Sequence, residues 1–499
     1  MKDQEKYFIL STYYPLLGQD KMLNDIVQEF TQRMESRMLE IVAEFTQQLN
    51  FADLEAALNA ELAKLNANFQ QAVLQKLLLN YAFINMLKKY AGTLGMRLKE
   101  YRCITLTLSN GQQIKIDSPY FIKAKPHKWR KKRGPNGSGR HMALEILGFI
   151  GRVSPGLLLE AVQTALLCPS YDVASTVLKG RGINLDVKAL RRLCRLAGEV
   201  GVGLRGSVSL SGEENLQGHT LVISIDGGRL RERRRKRGRK AKDSKRQGYH
   251  ADWKEPKLFT IYLTNEKGEI VKKFQPLQDA TMENHEGMFA LLESYLRNLE
   301  IEDAARIVFC GDGSAWIWHG VEALCKRMNF DKPSIYQVLD HTHAKQNLGE
   351  IVELLNSTKQ AKARKKWEAL LWNGDFDALK NSIKETITGK DNRKQALNKF
   401  ANYFTGNQER MRYSWFKTQD LPCGSGHVES AIRRVINLRL KAPGTFWLRE
   451  MAEYFLFLRS QLLSGRWEIF MTNLTALTRR AFWPFYAADG SESESLEVQ

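Results

Sequence analysis

Two apolar segments of this sequence each end in an aspartate beside glycine, and this repeated arrangement most constrains how the chain can fold. The run 221–225 leads into Asp226, and the run 307–311 leads into Asp312. Their aliphatic residues predict buried strands, and the glycines leave room for a phosphate or another backbone. A carboxylate at the end of a buried strand is costly to desolvate without a cation or donors. The pair therefore predicts one metal site built from two strands, with turn or helix capping as the alternative role.

The elements around these strands follow a definite order. The predicted strands are 221–225, 258–263, 270–274, 307–311 and 334–339, and the predicted helices are 283–299, 314–328 and 342–355. This is the RNase H-like order, in which the first three strands pair antiparallel and the first lies beside the fourth. We therefore expect residues 218–356 to form the first part of a catalytic domain, with Asp226 and Asp312 within reach of shared metal ions.

The chain before residue 143 predicts a different organisation. Residues 1–100 show helical periodicity and predict a helical N-terminal region. Residues 101–142 combine a β-hairpin, with a type I′ turn at Asn110-Gly111, and a basic linker at 123–133 that contains Trp129. The linker is either a solvated connection or a contact to nucleic acid, because basic residues with an aromatic can hold a phosphate backbone and stack on a base.

Residues 143–215 predict short helices of a DNA-binding part. Ser154 and Ser170 are caps that begin two helices, and a third helix begins near Asp186. The third helix carries basic residues at i, i+3, i+4 and i+7, which are Lys188, Arg191, Arg192 and Arg195. A helix, a turn and a helix with a basic face is the arrangement that helix-turn-helix proteins place in the major groove, although many surface helices carry a similar stripe.

The positive charge of the chain is concentrated in one run. The net charge is +20, and twelve of the eighteen residues from 229 to 246 are Lys or Arg, against two acidic residues. Such a run is usually a solvated segment that is too polar to fold alone. Because it begins directly after Asp226, it is placed to hold a phosphate backbone against that carboxylate. The predicted DNA-binding residues here are Arg229, Arg233, Arg234, Arg235, Lys236, Arg237, Arg239 and Lys240.

The remainder of the chain predicts a helical insertion and a closing helical part. Residues 357–420 are helical and charged, and residues 421–480 close the catalytic domain. Turn residues at 422–426 lead into a helix that carries Glu429, with Arg433 four residues later on the same face. Residues 486–499 are rich in Ser and Glu and predict a disordered acidic tail.

Composition narrows the setting of the protein. No signal-type segment is found at the N-terminus, and no apolar run reaches transmembrane length. The six cysteines form no CxxC pair, which argues against a zinc ribbon or a disulfide framework. These features fit a cytosolic protein with reduced thiols.

The pattern as a whole resembles the DDE transposases of bacterial insertion sequences, in particular a Kra-type family related to Mutator-like enzymes. The matching segments are 224–229, 253–258, 311–318, 340–343, 424–431 and 439–447. The resemblance implies an α/β fold class, with an RNase H-like catalytic domain that contains a helical insertion and follows a mainly helical, helix-turn-helix-like N-terminal region. It also implies that Asp226, Asp312 and Glu429 are the catalytic and metal-binding triad. Asp340 and His343 match the C/DxxH signature of such enzymes and, with Arg433, are expected to support the site.

The implied chemistry suits the residues. Three carboxylates can hold two Mg²⁺ ions, for which Mn²⁺ can substitute, and such ions activate the attacking oxygen and stabilise the leaving 3′ oxygen. The resemblance implies cleavage of the ends of an insertion sequence and their joining to target DNA by a homodimer or higher oligomer. Two alternatives remain open from the sequence: an RNase H-like nuclease or resolvase without strand transfer, and a transposase-derived DNA-binding repressor.

Overall fold

The computed structural model describes residues 21–124, 139–206, 210, 214–238, 248–299, 301–330 and 334–494. The chain divides into two compact units, one made of Met1–Ala197 with Met471–Gln499 and the other of Gly198–Phe470. Most of the basic linker predicted at 123–133, including Trp129, lies outside the described residues, as do Arg239 and Lys240. None of the helices in the described ranges combines the length and the apolarity needed to span a membrane.

Helices and one hairpin make up the first unit, as the sequence predicts. The helices are α1 (Lys21–Gln48), α2 (Phe51–Leu79), α3 (Tyr81–Thr93), α4 (Met142–Ile146), α5 (Pro155–Leu167), α6 (Tyr171–Gly180) and the start of α7 (Val187–Val202), and the hairpin joins β1 (Met96–Thr107) to β2 (Gln113–Lys123). The alternating residues Leu106, Ile114 and Ile116 are buried and share one apolar cluster with residues of α3 and α4. The alternation therefore places one face of the hairpin in a core.

The turn of this hairpin differs from the predicted type I′ turn at Asn110-Gly111. Such a turn needs a positive φ at both central residues, but of the two only Gly111 has one, at +78°. Asn110 instead uses its side chain, with Oδ1 accepting a hydrogen bond from Gln112 N at 3.1 Å and Nδ2 donating one to Ala63 O at 2.8 Å. The attachment of Asn110 to α2 thus replaces the predicted conformation.

The three helices predicted in the 143–215 segment form with the expected caps. The hydroxyl groups of Ser154 and Ser170 accept hydrogen bonds from Leu157 N (3.3 Å) and Val173 N (3.1 Å) at the starts of α5 and α6. On α7 the apolar residues Leu190, Leu193 and Ala197 are fully buried. The basic residues predicted to contact DNA, which are Lys188, Arg191, Arg192 and Arg195, are all exposed. The segment therefore has an exposed basic helix face, and its role in DNA recognition stays a prediction.

A five-stranded sheet forms the centre of the second unit. In chain order its strands are β3 (Thr220–Gly227), β6 (Lys257–Thr264), β7 (Leu277–Thr281), β8 (Arg306–Gly311) and β9 (Ser334–Leu339), while β4 (Leu230–Arg235) and β5 (Tyr249–Lys254) form a separate two-stranded ribbon. The order across the sheet is β7-β6-β3-β8-β9. Strands β3, β6 and β7 pair antiparallel, whereas β3, β8 and β9 pair parallel. The predicted neighbours β3 and β8 are confirmed, and Ile225 lies opposite Gly311.

The third strand of the sheet lies later in the chain than the predicted 270–274. The predicted turn at 265–268 forms, because Asn265 Oδ1 accepts hydrogen bonds from Lys267 N (3.0 Å) and Glu269 N (2.9 Å). After it, however, Ile270 makes only an isolated bridge, and pairing with β6 is taken over by β7. The apolar pattern of the sequence does not predict β7, because this fully buried strand contains the polar residues Gln278 and Asp279. A buried arginine makes the acid tolerable.

That arginine is Arg205, which joins β7 to the closing helices. Its Nη2 atom lies 3.2 Å from Asp279 Oδ1, and it also forms an ion pair with Glu453. The hydroxyl of Tyr295 donates a second hydrogen bond to Asp279 at 3.0 Å, and Met282 N donates one to Glu453 at 2.6 Å. A buried acid with these partners is satisfied, so β7 can be polar and still lie inside the unit.

Part of the basic run forms an ordered ribbon, although its composition predicts a solvated segment. Strands β4 and β5 pair antiparallel from Leu230↔Lys254 to Arg235↔Tyr249. The main chain near Trp447 adds to the edge of β4, with Arg233 N donating to Trp447 O (2.6 Å) and Trp447 N donating to Arg231 O (2.9 Å). The residues that order this segment are therefore distant from it in the sequence. The composition of the basic run alone does not indicate them.

Helices complete the second unit. They are α8 (His285–Arg297), α9 (Ala315–Met328), α10 (His341–Val352), α11 (Ser357–Asn373), α12 (Phe376–Thr386), α13 (Lys390–Tyr403), α14 (Tyr413–Thr418), α15 (Gly426–Ala431) and α16 (Arg449–Leu463). The segment 357–420 is helical as predicted, and its buried residues Trp367 and Phe400 belong to the same apolar cluster as the sheet. The last helix, α17 (Trp467–Glu494), begins in this unit but belongs mostly to the first one, and it includes residues 486–494 of the segment predicted as a disordered tail.

The two central arginines of α7 provide a test of its predicted DNA contact. Arg192 donates a hydrogen bond from Nη2 to Gly151 O at 3.0 Å, so Arg192→Ala should lower the free energy of unfolding by about 1 kcal/mol. Arg191→Ala should leave the free energy of unfolding unchanged. It should reduce binding to DNA that carries the ends of the expected insertion sequence more than binding to random duplex. Urea unfolding and binding titrations measure the two effects. An equal loss of affinity for both DNAs would limit Arg191 to phosphate contact.

Candidate active site

Asp226 occupies the end of β3, where the strand leaves the core. Ile225 before it is fully buried, and Asp226 Oδ1 accepts a hydrogen bond from Gly227 N at 2.6 Å. Burial raises the pKa of Asp226 to about 6; the hydrogen bond from Gly227 opposes the shift, and the negative charges of Asp312 and Glu429 add to it. Asp312 and Glu429 are therefore near enough for their charges to act on Asp226.

Asp312 follows β8 and is already engaged at the start of α9. Its Oδ1 atom accepts a hydrogen bond from Ser314 N (2.8 Å), and its Oδ2 atom accepts one from Ser314 Oγ (3.0 Å). The backbone oxygen of Asp312 accepts a third hydrogen bond from Trp318 Nε1 at 2.9 Å. Asp312 thus caps the turn before α9, whose N-cap residue is Ser314, and its carboxylate remains partly exposed at the sheet edge. Capping and participation in the acidic site are compatible.

Glu429 lies in the first turn of α15, with 46% of its side chain exposed. Its Oε1 atom is 3.9 Å from Nε2 of His343, and its charge contributes to the raised pKa of Asp226. No ion pair joins Glu429 to Arg433 among the residues that the structure describes, although their spacing on a helix predicts one. The reason is local, because α15 ends at Ala431 and continues as a π-helical turn at Ile432–Asn437. Such turns often occur at functional sites.

Asp340 holds the end of β9 to the segment that leads into α15. Its Oδ1 atom accepts hydrogen bonds from Thr342 N (2.6 Å) and His343 N (3.0 Å), which cap α10. Its Oδ2 atom accepts hydrogen bonds from both the backbone nitrogen and the hydroxyl of Ser425. Burial alone would raise the pKa of Asp340, but these hydrogen bonds outweigh it and the pKa is lowered. Asp340 is therefore an ionised, buried link.

A second link joins the same residue to the strand that carries Asp312. Asp340 N donates a hydrogen bond to Gly311 O at 2.8 Å, and His341 N donates one to Cys423 O at 2.9 Å. Asp340 thus connects the end of β8, the start of α10 and the approach to α15. His343, one turn into α10, is placed by this cap beside Glu429. The expected role of Asp340 and His343 in supporting catalysis stays a prediction.

The glycines beside the aspartates make room for protein side chains. A Cβ atom on Gly227 would lie 2.2 Å from Glu255 Oε1, and one on Gly228 would lie 2.5 Å from Ile436 Cδ1. A Cβ atom on Gly313 would lie 2.3 Å from Tyr403 Cε2. The sequence predicts close approach by a phosphate or a backbone at these positions. In the structure, the space beside each glycine is used by a neighbouring side chain.

The donor set of the site suits a hard divalent cation. In the described ranges, no three His, Cys, Asp or Glu side chains are grouped closely enough to hold a metal ion. Asp226 and Asp312 nevertheless lie at one edge of the sheet, and the charges of Asp312 and Glu429 add to the effect of burial, which raises the pKa of Asp226. Carboxylate oxygens are the ligands that Mg²⁺ uses. The three residues have the chemistry of Mg²⁺ ligands, Glu429 is the most exposed of them, and their expected role as a metal site stays a prediction.

The predicted basic residues near the site lie on the ribbon. Arg229 is exposed between β3 and β4, and Arg234, Arg235, Lys236 and Arg237 are exposed at and beyond the end of β4. Arg234 forms an ion pair with Asp252, which lowers the pKa of that carboxyl. Arg233 is half-buried against the ring of Tyr249. The exposed cations thus begin within a few residues of Asp226.

Two residues of the site escape sequence reasoning. Ser425 is buried and binds Asp340, yet in the sequence it is one small residue in a turn-like segment. Tyr403 lies at the end of α13, beside Gly313, and the charge of Asp312 contributes to its raised pKa after burial. Of the two residues, only Ser425 could be found from the sequence, because it lies inside the segment 424–431 that carries the resemblance. Nothing in the local pattern around Tyr403 points to the acids.

Comparisons with known proteins give a family and a distant structural likeness. The family model described as "Uncharacterised protein family (UPF0236)" matches residues 142–466. Among solved structures, the "Drosophila P element transposase strand transfer complex" matches with a TM-score of 0.32 and 10% sequence identity, over 65% of this chain and 94% of that chain. The search of curated proteins finds no match. The span matched by the family contains Asp226, Asp312 and Glu429.

The raised pKa of Asp226 predicts a pH-dependent effect of its neutralisation. Because the folded-state pKa of about 6 exceeds the ordinary value of 3.8, the ionised carboxyl costs stability above pH 6, and this cost disappears as the pH falls towards 4. In the presence of a chelator, Asp226→Asn should therefore raise the free energy of unfolding at pH 8 by about 1–3 kcal/mol. The gain should vanish at pH 4.

Urea unfolding at the two pH values measures this effect. Asp252→Asn is the matched control, because the ion pair with Arg234 lowers the pKa of Asp252. That substitution should not stabilise the protein at pH 8. A destabilised Asp226→Asn protein at pH 8 would mean that the negative charge of Asp226 is compensated in the folded chain.

The link between Asp340 and Ser425 predicts a coupled loss of stability. Ser425→Ala removes a buried hydrogen bond to a carboxylate and should lower the free energy of unfolding by about 1.5–3 kcal/mol. Combined with Asp340→Asn, the losses should be clearly less than additive, because both substitutions affect one interaction. Ser430→Ala, at an exposed position of α15, is the control and should have no effect. Additive losses in the double variant would contradict the link.

Proposed function

The chain belongs to the UPF0236 family, and we propose that it is a DDE-type DNA transposase that cleaves the ends of an insertion sequence and joins them to target DNA. One observation carries the proposal. The parallel pairing of β3 with β8 puts Asp226 and Asp312 at one edge of the sheet. The negative charge of Glu429 also acts on Asp226, where it adds to the effect of burial on the pKa. The carboxylates of Asp312 and Glu429, from separate parts of the chain, are near enough for their charges to act on Asp226 where the buried sheet ends.

The sheet supports an RNase H-like assignment for the second unit. Its first three strands in chain order pair antiparallel, and the first then lies parallel to the fourth, which is followed by the fifth at the edge. That topology is the one the assignment requires. The helical segment 357–420 then precedes the helix of Glu429, as in the family that the sequence resembles.

Three acids at this position would hold metal ions. Asp226, Asp312 and Glu429 are the proposed ligands, and two bound Mg²⁺ ions, or Mn²⁺ in their place, would activate the attacking oxygen and stabilise the leaving 3′ oxygen. Before binding, mutual repulsion and burial disfavour ionised Asp226. The protein therefore presents a negative site that a divalent cation would complement.

The remaining residues of the site position the acids and the DNA. Asp340 links the strand ends to Ser425, and this link fixes the start of α15, on which Glu429 lies. His343 Nε2 lies 3.9 Å from Glu429 Oε1, and we assign His343 a role in orienting that carboxylate. The exposed cations of the ribbon would hold the phosphate backbone of double-stranded DNA near the acids.

We place sequence recognition on the exposed basic face of α7, which carries Lys188, Arg191, Arg192 and Arg195. The two ends of an insertion sequence must be processed together. A homodimer or higher oligomer is therefore the proposed active form. The protein would act in the bacterial cytoplasm, on the nucleoid.

Neutral substitutions of the three acids test the proposal. Asp226→Asn, Asp312→Asn and Glu429→Gln preserve side-chain volume and remove one proposed ligand each. Each variant should fold and bind the DNA ends but lose cleavage by at least about 100-fold, and combining them should add little further loss. Each should also lose the stabilisation of the folded protein by Mg²⁺ in a thermal unfolding assay. That measurement does not depend on activity.

Glu450→Gln is the matched control, because Glu450 is an exposed acid at the start of α16. It should cleave normally. Normal cleavage by all three triad variants would refute the proposed mechanism, and retention by Glu429→Gln alone would move the third ligand elsewhere. Cleavage without joining of ends to target DNA would assign the protein to the RNase H-like nucleases. Binding with no cleavage by the wild type would assign it to the repressors.

A further inference from the structure

The two faces of the ribbon differ in charge. Residues that lie directly opposite in an antiparallel pair project to the same face. One face carries Leu230, Glu232 and Arg234 of β4 with Lys254, Asp252 and His250 of β5, and the other carries Arg231, Arg233 and Arg235 with Trp253, Ala251 and Tyr249. We call the second set the arginine–aromatic face. It contains three arginines and no acid, whereas the two acids of the ribbon lie on the first face.

The first face is buried only where the ribbon begins, and its outer residues Arg234 and His250 are exposed, whereas the arginine–aromatic face carries exposed rings. Leu230 is fully buried and Glu232 is 6% exposed. Trp253, in contrast, is 52% exposed and Tyr249 is 39% exposed. The indole of Trp253 packs against Arg231 within the ribbon, yet about half of the residue remains exposed. The exposure leaves ring surface available to a ligand.

The arginines of this face are arranged around the aromatic rings. The Arg231 guanidinium lies 4.8 Å from the centre of the Trp253 ring, and that of Arg233 lies 4.6 Å from the centre of the Tyr249 ring. The ring of Phe446 supports the same face, 5.5 Å from Tyr249. Cation–π contacts of this kind hold the side chains in place before any ligand binds. The face is therefore a pre-arranged surface of flat rings and positive charge.

The ribbon begins close to the acidic site. Arg231 is five residues after Asp226 in an extended chain, so their Cα atoms are separated by at most about 18 Å. Base pairs along a duplex are spaced by about 3.4 Å. A nucleotide on the arginine–aromatic face would thus lie within roughly five nucleotides of a phosphate held at the acids. The edge of β4 is fixed by Trp447, so this separation is built into the unit.

We propose that the arginine–aromatic face binds unpaired DNA next to the cleavage position, with Trp253 stacking on an exposed base and the arginines contacting the phosphates. An aromatic ring can stack on a base only when the base is outside the duplex stack, and basic residues interleaved with aromatic rings are the usual surface for single strands. The inference rests on the proposed function only for the location of the DNA. The binding itself requires neither metal nor cleavage.

Equilibrium binding of the full chain in the presence of a chelator tests the proposal. The probes are a single-stranded oligonucleotide, a duplex, and a duplex with a five-nucleotide unpaired bubble. Loss of one stacked base costs a factor of about 5 to 100 in affinity. Trp253→Ala should weaken binding of the single strand and the bubble by that factor and change binding of the duplex by less than about twofold. Trp253→Phe should restore most of the lost affinity.

Trp415→Ala is the matched control. Trp415 is also a partly exposed indole, at 38%, with an arginine, Arg412, 4.7 Å from its ring centre, but it lies on α14. It should leave all three affinities unchanged. Photocrosslinking of an oligonucleotide that carries 5-iododeoxyuridine should map to Trp253, which establishes contact without a mutation.

The outcomes separate this inference from the proposed function. Equal loss of duplex and single-strand affinity in Trp253→Ala, or unchanged affinity for all probes, would overturn the stacking role, as would a crosslink that maps elsewhere. If the acidic variants cleave normally but Trp253→Ala fails to bind unpaired DNA, the transposase mechanism falls and the base-binding face stands. If the acidic variants lose cleavage while Trp253→Ala binds like the wild type, only the present inference falls.

Discussion

The parallel pairing of β3 with β8 is the constraint on which the candidate site depends. Both strands are buried, and in a parallel pair their ends lie at the same edge. A residue at the end of one strand therefore lies beside a residue at the end of the other, whatever the length of the chain that connects the two strands. Asp226 and Asp312 are neighbours for this reason, and the register that sets Ile225 opposite Gly311 fixes their relative height. A slip of one residue would turn one of them towards the opposite face.

The same constraint creates an electrostatic cost. Burial of the Asp226 carboxylate is unfavourable, and two further acids make it more so. Asp340 shows how the chain treats an acid whose role is structural, because four hydrogen-bond donors surround its carboxylate and its pKa is lowered. Asp226 receives one hydrogen bond from its own neighbour. The buried Asp340 and the partly buried Asp226 therefore differ in how far the chain itself satisfies their carboxylates.

Local patterns predict much of this structure. Capping residues and helical periodicity locate α5, α6 and α7, and alternation locates the hairpin of β1 and β2, because each pattern reflects which face is buried. The strand ends at Asp226 and Asp312 are predicted for the same reason. Glu429 is different. Its local surroundings predict only a surface helix with Arg433 as a partner, and it becomes a candidate ligand through the resemblance of segment 424–431.

Features that depend on distant partners are the ones that local patterns miss. Strand β7 contains Asp279, which is tolerable in a core only because Arg205 and Tyr295 bind it. The ribbon has the composition of a solvated segment, and it is ordered by Trp253 and Trp447, which lie beyond the basic run. Ser425 is important only because Asp340 accepts its hydrogen bonds. In each case the stabilising group is far away in sequence, so no window of neighbouring residues contains the cause.

The helical segment 357–420 shows how an addition to the sheet becomes part of the site. Its buried residues Trp367 and Phe400 share one apolar cluster with the sheet, so removing the segment would expose the core that carries the strands. Helix α13 of this segment also borders the acidic site, because Tyr403 at its end occupies the space beside Gly313, next to Asp312. A side chain larger than glycine at that position would displace the tyrosine ring. The glycine, the tyrosine and the aspartate therefore form one structural unit, which ties the position of α13 to the edge of the sheet where the acids meet.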